Sequence, residues 1–181
     1  MVYVFLAEGF EEIEALGTLD LIRRAGIEAI SVSITDDKYV TGSHGIKVCA
    51  DITVNECADK TPICVVLPGG MPGAENLYNC EKVKEFVKLN FENGRCIAAI
   101  CAAPMVFGRM GLLDGYKATC YPGFEKYLDG AEYTASSTEC DRNVITGNGP
   151  GAFYRFAYEI IKKLKGEEIA DKVLEGGRFI K

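Results

Sequence analysis

A cysteine set between an apolar strand and a helix has the placement of a nucleophile, and Cys101 has it. It follows the apolar run Cys96 to Ile100 (CIAAI) and precedes the helix-forming stretch Ala102 to Met110. Ala99 and Ala103, two positions away on either side, suit the sharp strand-to-helix turn of a nucleophile elbow, which tolerates little bulk. Pro104 fits the first turn of the following helix. The helix N-terminus would favour a thiolate and lower the pKa of Cys101. Alanines stand where the usual pattern has glycines, so one more buried core thiol is the alternative. Two other strand ends offer partners. Pro68-Gly69-Gly70 can present backbone N–H groups to an oxyanion, or be an ordinary turn. Glu14 follows the first strand and can face the top of the sheet, or be solvated.

Other candidates read more plainly. Glu11 and Glu12 complement a helix dipole. His44 lies between glycines in a hairpin, as a surface turn residue does, and as the only histidine it cannot supply a clustered zinc site. For the same reason a Ser-His-Asp triad has no support. Gly147 to Gly151 (GNGPG) opens a helix but has neither the dinucleotide nor the P-loop spacing. No metal is expected.

The elements that must position these groups follow from periodicity. Val2 to Ala7, Ile27 to Ile34, Ile63 to Leu67 and Cys96 to Ile100 are apolar runs of the kind buried on both faces of a parallel sheet. Shorter strands are expected at Lys117 to Cys120 and Val144 to Thr146, with a turn at Asp141-Arg142-Asn143 between them and a hairpin around Gly42 to Gly45. Helices are expected from about Glu11 to Gly26, with Ile13, Leu16, Leu19 and Ile22 as the apolar stripe, and from about Glu81. Two more follow Gly151 and Glu167. Strands alternating with amphipathic helices make an α/β sandwich with a mainly parallel central sheet, and ligands bind such sheets at the carboxyl ends of the strands.

Composition narrows the partners. The chain has 181 residues, 20 basic and 26 acidic, for a net charge of −6. Without a basic run, neither nucleic acid nor an anionic membrane is expected as a partner. The N-terminal apolar run is short and acidic residues follow it, so a cytoplasmic location is expected. The eight cysteines form no CxxC pair and read as reduced thiols.

Taken together, LAEGFEEIEAL with LIRRAGI, VVLPGG followed by GAENL, AAICAAP, and NGPG before the last long helix resemble the ThiJ/PfpI superfamily, in its parkinsonism-associated DJ-type branch. The resemblance implies one domain over residues 1–181, a flavodoxin-like three-layer sandwich, and a homodimer. It implies that Cys101 is the reactive cysteine and that Glu14 is the glutamate hydrogen-bonded to it. Gly70 and Ala102 match the positions whose N–H groups form the oxyanion site, with Gly69 beside them. Arg24 matches an arginine reaching the pocket across the dimer. His44 aligns with a pocket arginine, and Tyr121 with a histidine near the cysteine. The protease-like branch has a histidine where this chain has Ala102, which speaks against a peptidase. The implied function is a glyoxalase III or deglycase-like enzyme acting without a cofactor on small dicarbonyls such as methylglyoxal. The alternative is a redox-sensing stress protein or chaperone in which Cys101 oxidation is the signal. An ionised Glu14 would repel a thiolate, so the pair works only if Glu14 keeps its proton.

Overall fold

The computed structural model describes residues 1–58 and 62–179. The first half contains β1 (Val2–Leu6), a π-helical turn (Ile13–Gly17), α1 (Thr18–Arg24), β2 (Ala29–Ser33), β3 (Tyr39–Thr41), β4 (Lys47–Cys49), β5 (Ile52–Thr53), β6 (Cys64–Leu67), α2 (Gly73–Asn79) and α3 (Glu81–Glu92). The second contains β7 (Cys96–Ile100), α4 (Pro104–Arg109), β8 (Lys117–Ala118), β9 (Glu132–Tyr133), β10 (Thr138–Asp141), β11 (Val144–Gly147), α5 (Phe153–Lys165) and α6 (Glu167–Gly176).

Seven strands form the central sheet in the order β10-β11-β7-β6-β1-β2-β5, parallel except for β10 at one edge. Its five main parallel strands run second, first, third, fourth, fifth in chain order, which is the flavodoxin-like arrangement. Side chains alternate between two apolar cores. Val2, Val4, Leu6, Val66, Ala98 and Ile100 face one core, which includes Ile22 of α1, Phe156 and Ile160 of α5 and Ala170 of α6. Tyr3, Phe5, Val65, Leu67, Ile97 and Ala99 face the other, with Leu77 of α2, Phe86 of α3 and Val106 of α4. Both faces are thus covered, the condition under which near-continuous apolar strands are stable. No described helix is long and apolar enough to cross a membrane.

Several expectations need correction. The helix expected from Glu11 begins instead as a π turn, whose extra residue rotates the apolar stripe. Ile13 is consequently 53% exposed and Glu14 takes the inward place, 1% exposed. The helix expected from Ala102 starts at Pro104. The segment Lys117 to Cys120 yields a two-residue strand that pairs with β9 in a separate ribbon and does not join the central sheet. The turn around Arg142 lies where expected, but it connects β11 to β10 as an antiparallel pair. That edge strand, along with α2, β5 and β9, was not read from the sequence.

Candidate active site

The carboxyl ends of β1, β6, β7 and β11 converge on Cys101. The strand β7 ends at Ile100, and Cys101 turns the chain with φ +64°, a left-handed conformation that costs a non-glycine residue about 1–3 kcal/mol. Three hydrogen bonds hold it there. Cys101 N–H donates to the Gly147 carbonyl at 2.9 Å, Ala103 N–H to the Ile100 carbonyl at 3.0 Å, and Tyr121 N–H to the Cys101 carbonyl at 2.8 Å. Ala99 and Ala103 are fully buried, so the small residues read from the sequence are required by packing. The geometry is that of an elbow.

Glu14 reaches the same point from the π turn after β1. Its Oε2 accepts the Gly69 N–H at 2.8 Å. Among the described residues its buried Oε1 has no hydrogen-bond partner. Burial, with a smaller contribution from the charge of Glu11, pushes the Glu14 carboxyl up from 4.5 to about 7, against the pull of the Gly69 N–H and the Cys101 thiol. The thiol does not become acidic as the helix N-terminus had suggested. Burial and the negative charge of Glu14 push the Cys101 pKa upward, while the Gly70 and Ala102 N–H groups at the sulfur pull it down. The reason is geometric: α4 begins three residues after Cys101, and Glu14 stands closer. The pair therefore holds at most one negative charge near neutral pH, and the thiolate is favoured only while Glu14 keeps its proton.

The two glycines are dictated by close approach. A Cβ on Gly69 would lie 2.6 Å from the Cys101 Cβ and 2.7 Å from Glu14 Oε2. Gly70 has φ +86°, and a Cβ there would lie 2.5 Å from both the Glu11 nitrogen and the Gly9 carbonyl oxygen. Gly70→Ala is therefore expected to destabilise the fold by about 3 kcal/mol or more, combining left-handed strain with overpacking against backbone. Urea unfolding measures this, and an unchanged midpoint would contradict the packing described.

Around this centre, the acidic residues read as dipole partners have structural work. Glu11 is buried and its Oε2 accepts the Glu14 N–H at 2.7 Å. Glu12 is buried and anchors the β3–β4 hairpin, its Oε1 accepting the His44 N–H at 2.8 Å and its Oε2 lying 2.8 Å from His44 Nδ1. These bonds outweigh desolvation and hold the Glu12 carboxyl down at about 2, and Glu12 in turn raises the His44 pKa. His44 is otherwise open to solvent, its side chain 70% exposed. It borders a cavity of about 360 Å³ with Glu11, Ile13, Ile46 and Pro150. Polar atoms of Glu11, Glu12 and His44 fall within 4.8 Å of one another, a spacing a cation could use. Both Glu12 oxygens and Glu11 Oε2 are committed to the hydrogen bonds described, so the cluster is a latch between the hairpin and the helix start. The signal for it was the acidic pair itself, but nothing local distinguishes a buried latch from a solvated helix start.

Tyr121, tied to Cys101 by its backbone, is 46% exposed and packs its ring near Gly149. Arg24 is not brought to the site within the chain. It ends α1, ten residues or roughly 15 Å of helix beyond Glu14, and pairs with Asp20 at 2.6 Å. It borders a different cavity, with Lys172 and Val173 of α6, because α1 runs from the carboxyl end of the sheet toward the amino end.

Residues 1–163 match the model of the DJ-1/PfpI family. This chain belongs to the DJ-1/PfpI family. Among DJ-1/PfpI relatives, it is 39% identical over 174 residues to the Arabidopsis thaliana protein DJ-1 homolog B, which covers 95% of this chain but 40% of the longer plant protein. The chain therefore spans less than half the length of that relative. It is 30% identical over 170 residues to the Caenorhabditis elegans glutathione-independent glyoxalase DJR-1.2, covering 93% of this chain and 90% of that one. The structure of oxidized Toxoplasma gondii DJ-1 superposes with a TM-score of 0.94 at 34% identity, covering 99% of this chain and 98% of the other.

Proposed function

We propose that this chain is a cysteine-dependent, cofactor-independent glyoxalase III or deglycase-like enzyme, acting on small dicarbonyls such as methylglyoxal as a cytoplasmic homodimer. The observation that carries the reading is the convergence of four groups. The Cys101 sulfur receives the Gly70 and Ala102 N–H groups, and Glu14, with one buried oxygen unpartnered, stands beside it. The C. elegans relative named as a glyoxalase supports the same direction.

The chemistry follows from those groups. The Cys101 thiolate forms a C–S bond to the aldehyde carbon, and the carbonyl electron pair moves to oxygen beside the Gly70 and Ala102 N–H groups. Glu14 gives its proton to that oxygen, forming the hemithioacetal. As a carboxylate it then takes the proton from the former aldehyde carbon and returns it to the adjacent carbon, passing through an enediol. The result is a thioester of the 2-hydroxy acid. Water cleaves this to lactate and free Cys101, so no external oxidant or reductant is consumed. A carboxyl that titrates near 7 suits both halves of this exchange.

The oxidised state of the T. gondii relative favours a second reading, in which Cys101 oxidation is the function. Peroxide would take the thiol to sulfinate, two peroxides being reduced to water, with the oxygens held by Glu14 and the same N–H groups.

The test is lactate formation from methylglyoxal by the purified protein without glutathione. Turnover supports the enzyme, and its absence alongside ready sulfinate formation selects the second reading. Tyr121→Phe is expected to lose no more than about tenfold, about 1.4 kcal/mol, because the ring is kept and the hydroxyl makes no hydrogen bond among the described residues. A dead Tyr121→Phe enzyme with an active Glu14→Gln enzyme would reverse the assigned roles.

A further inference from the structure

Three hydrogen bonds close a circuit beneath Cys101. Glu11 Oε2 accepts the Glu14 N–H at 2.7 Å. Glu14 Oε2 accepts the Gly69 N–H at 2.8 Å. The Gly69 carbonyl accepts the Glu11 N–H at 2.9 Å. Every member is buried or nearly so, and the Gly70 Cα sits so close to the Glu11 nitrogen that no side chain fits between them. We propose that Glu11 is the positioning residue of this site: it closes the circuit that aims the Glu14 carboxyl at Cys101 and holds a second carboxyl beside it.

The proposal rests on reading Cys101 and Glu14 as the reacting pair. Its geometry explains why a buried glutamate occupies a position that any helix-capping residue could fill. Asn, Asp, Ser and Thr also accept a backbone N–H at a helix start. A glutamate here also places a charge against a carboxyl that must stay protonated, and the charge of Glu11 does raise the Glu14 pKa. The titratable groups facing Glu14 are few. Glu11 approaches from its own turn and Cys101 from the end of β7, while β6 contributes only the Gly69 N–H. On the hairpin, His44 feels the Glu11 charge and is itself paired with Glu12. Among the described residues, removing the Glu11 charge leaves no other carboxylate acting on the Glu14 carboxyl.

The experiment is the pH profile of Cys101 alkylation by iodoacetamide, read by peptide mass, which needs no methylglyoxal turnover. In wild type the rate should rise with pH and level off near the Glu14 titration, where the pair loses its first proton. Glu11→Gln keeps the acceptor and removes the charge. It should move the midpoint down and lower the plateau severalfold, since the remaining charge then rests more on Glu14 and less on sulfur. Glu11→Asp, which keeps the charge, should restore the midpoint. A Glu11→Gln profile that superimposes on wild type overturns the proposal, as does a Glu11→Asp profile that moves with Glu11→Gln. Glu14→Gln separates the two levels of the argument: if it leaves the wild-type profile unchanged, the Cys101–Glu14 pair itself is wrong.

Discussion

Cys101→Ser should abolish methylglyoxal turnover, a loss on the order of 10⁴-fold or greater. The substitution changes one atom at a position whose backbone is held by three hydrogen bonds, so the elbow is expected to survive. What changes is the nucleophile. A thiol reaches its anion with help from two backbone N–H groups, whereas a serine hydroxyl needs an adjacent base that takes its proton. Among the described residues the candidates are poor: Glu14 titrates at about 7 and enters the addition step in its protonated form, and the only histidine, His44, is bound to Glu12 at the hairpin. The measurement is lactate release by wild type and variant at matched folding, judged by circular dichroism. Retained turnover would remove the covalent step and leave Cys101 oxidation as the better account of the site.

Glu14→Gln should lower turnover on the order of 10²–10⁴-fold, the usual contribution of a general acid–base group, and should raise stability at the same time. The amide oxygen can still accept the Gly69 N–H, but the side chain can no longer give and take a proton. The stability effect follows from linkage. Because the folded state raises the Glu14 carboxyl from 4.5 to about 7, it binds this proton more tightly than the unfolded chain does. The corresponding stability is fully present below about pH 4.5 and is lost as pH rises to about 7, a swing of about 3 kcal/mol. Glutamine has no charge to bury, so this part of the pH dependence should vanish and the variant should be more stable than wild type above pH 7. Urea unfolding from pH 4.5 to 8 reads the slope directly. Equal slopes in the two proteins would mean that Glu14 is ionised without penalty, and the acid–base role would fall with it. Stability gained on loss of activity is the expected mark of a group placed for chemistry.

Local pattern in the chain accounts for the main strands and helices. Apolar runs too long to alternate had to be strands buried on both faces, and the amphipathic segments between them had to cover a parallel sheet. The alanines flanking Cys101 left room for a sharp turn, and Gly69-Gly70 could be read as backbone N–H donors to an oxyanion or as an ordinary turn. The tertiary structure decided what depends on distance. Two-residue strands such as β5 and β9 carry no period that could reveal them. A π turn moved Ile13 outward and Glu14 inward, a rotation that a stripe counted at helical spacing does not contain. Glu11 and Glu12 look like dipole-complementing charges in the chain and are buried because Gly69 and the hairpin fold back onto them. The direction of the Cys101 pKa was decided by the same convergence. In the sequence the helix N-terminus is the nearest influence, but in space burial and Glu14 are, and electrostatics follows distance in space.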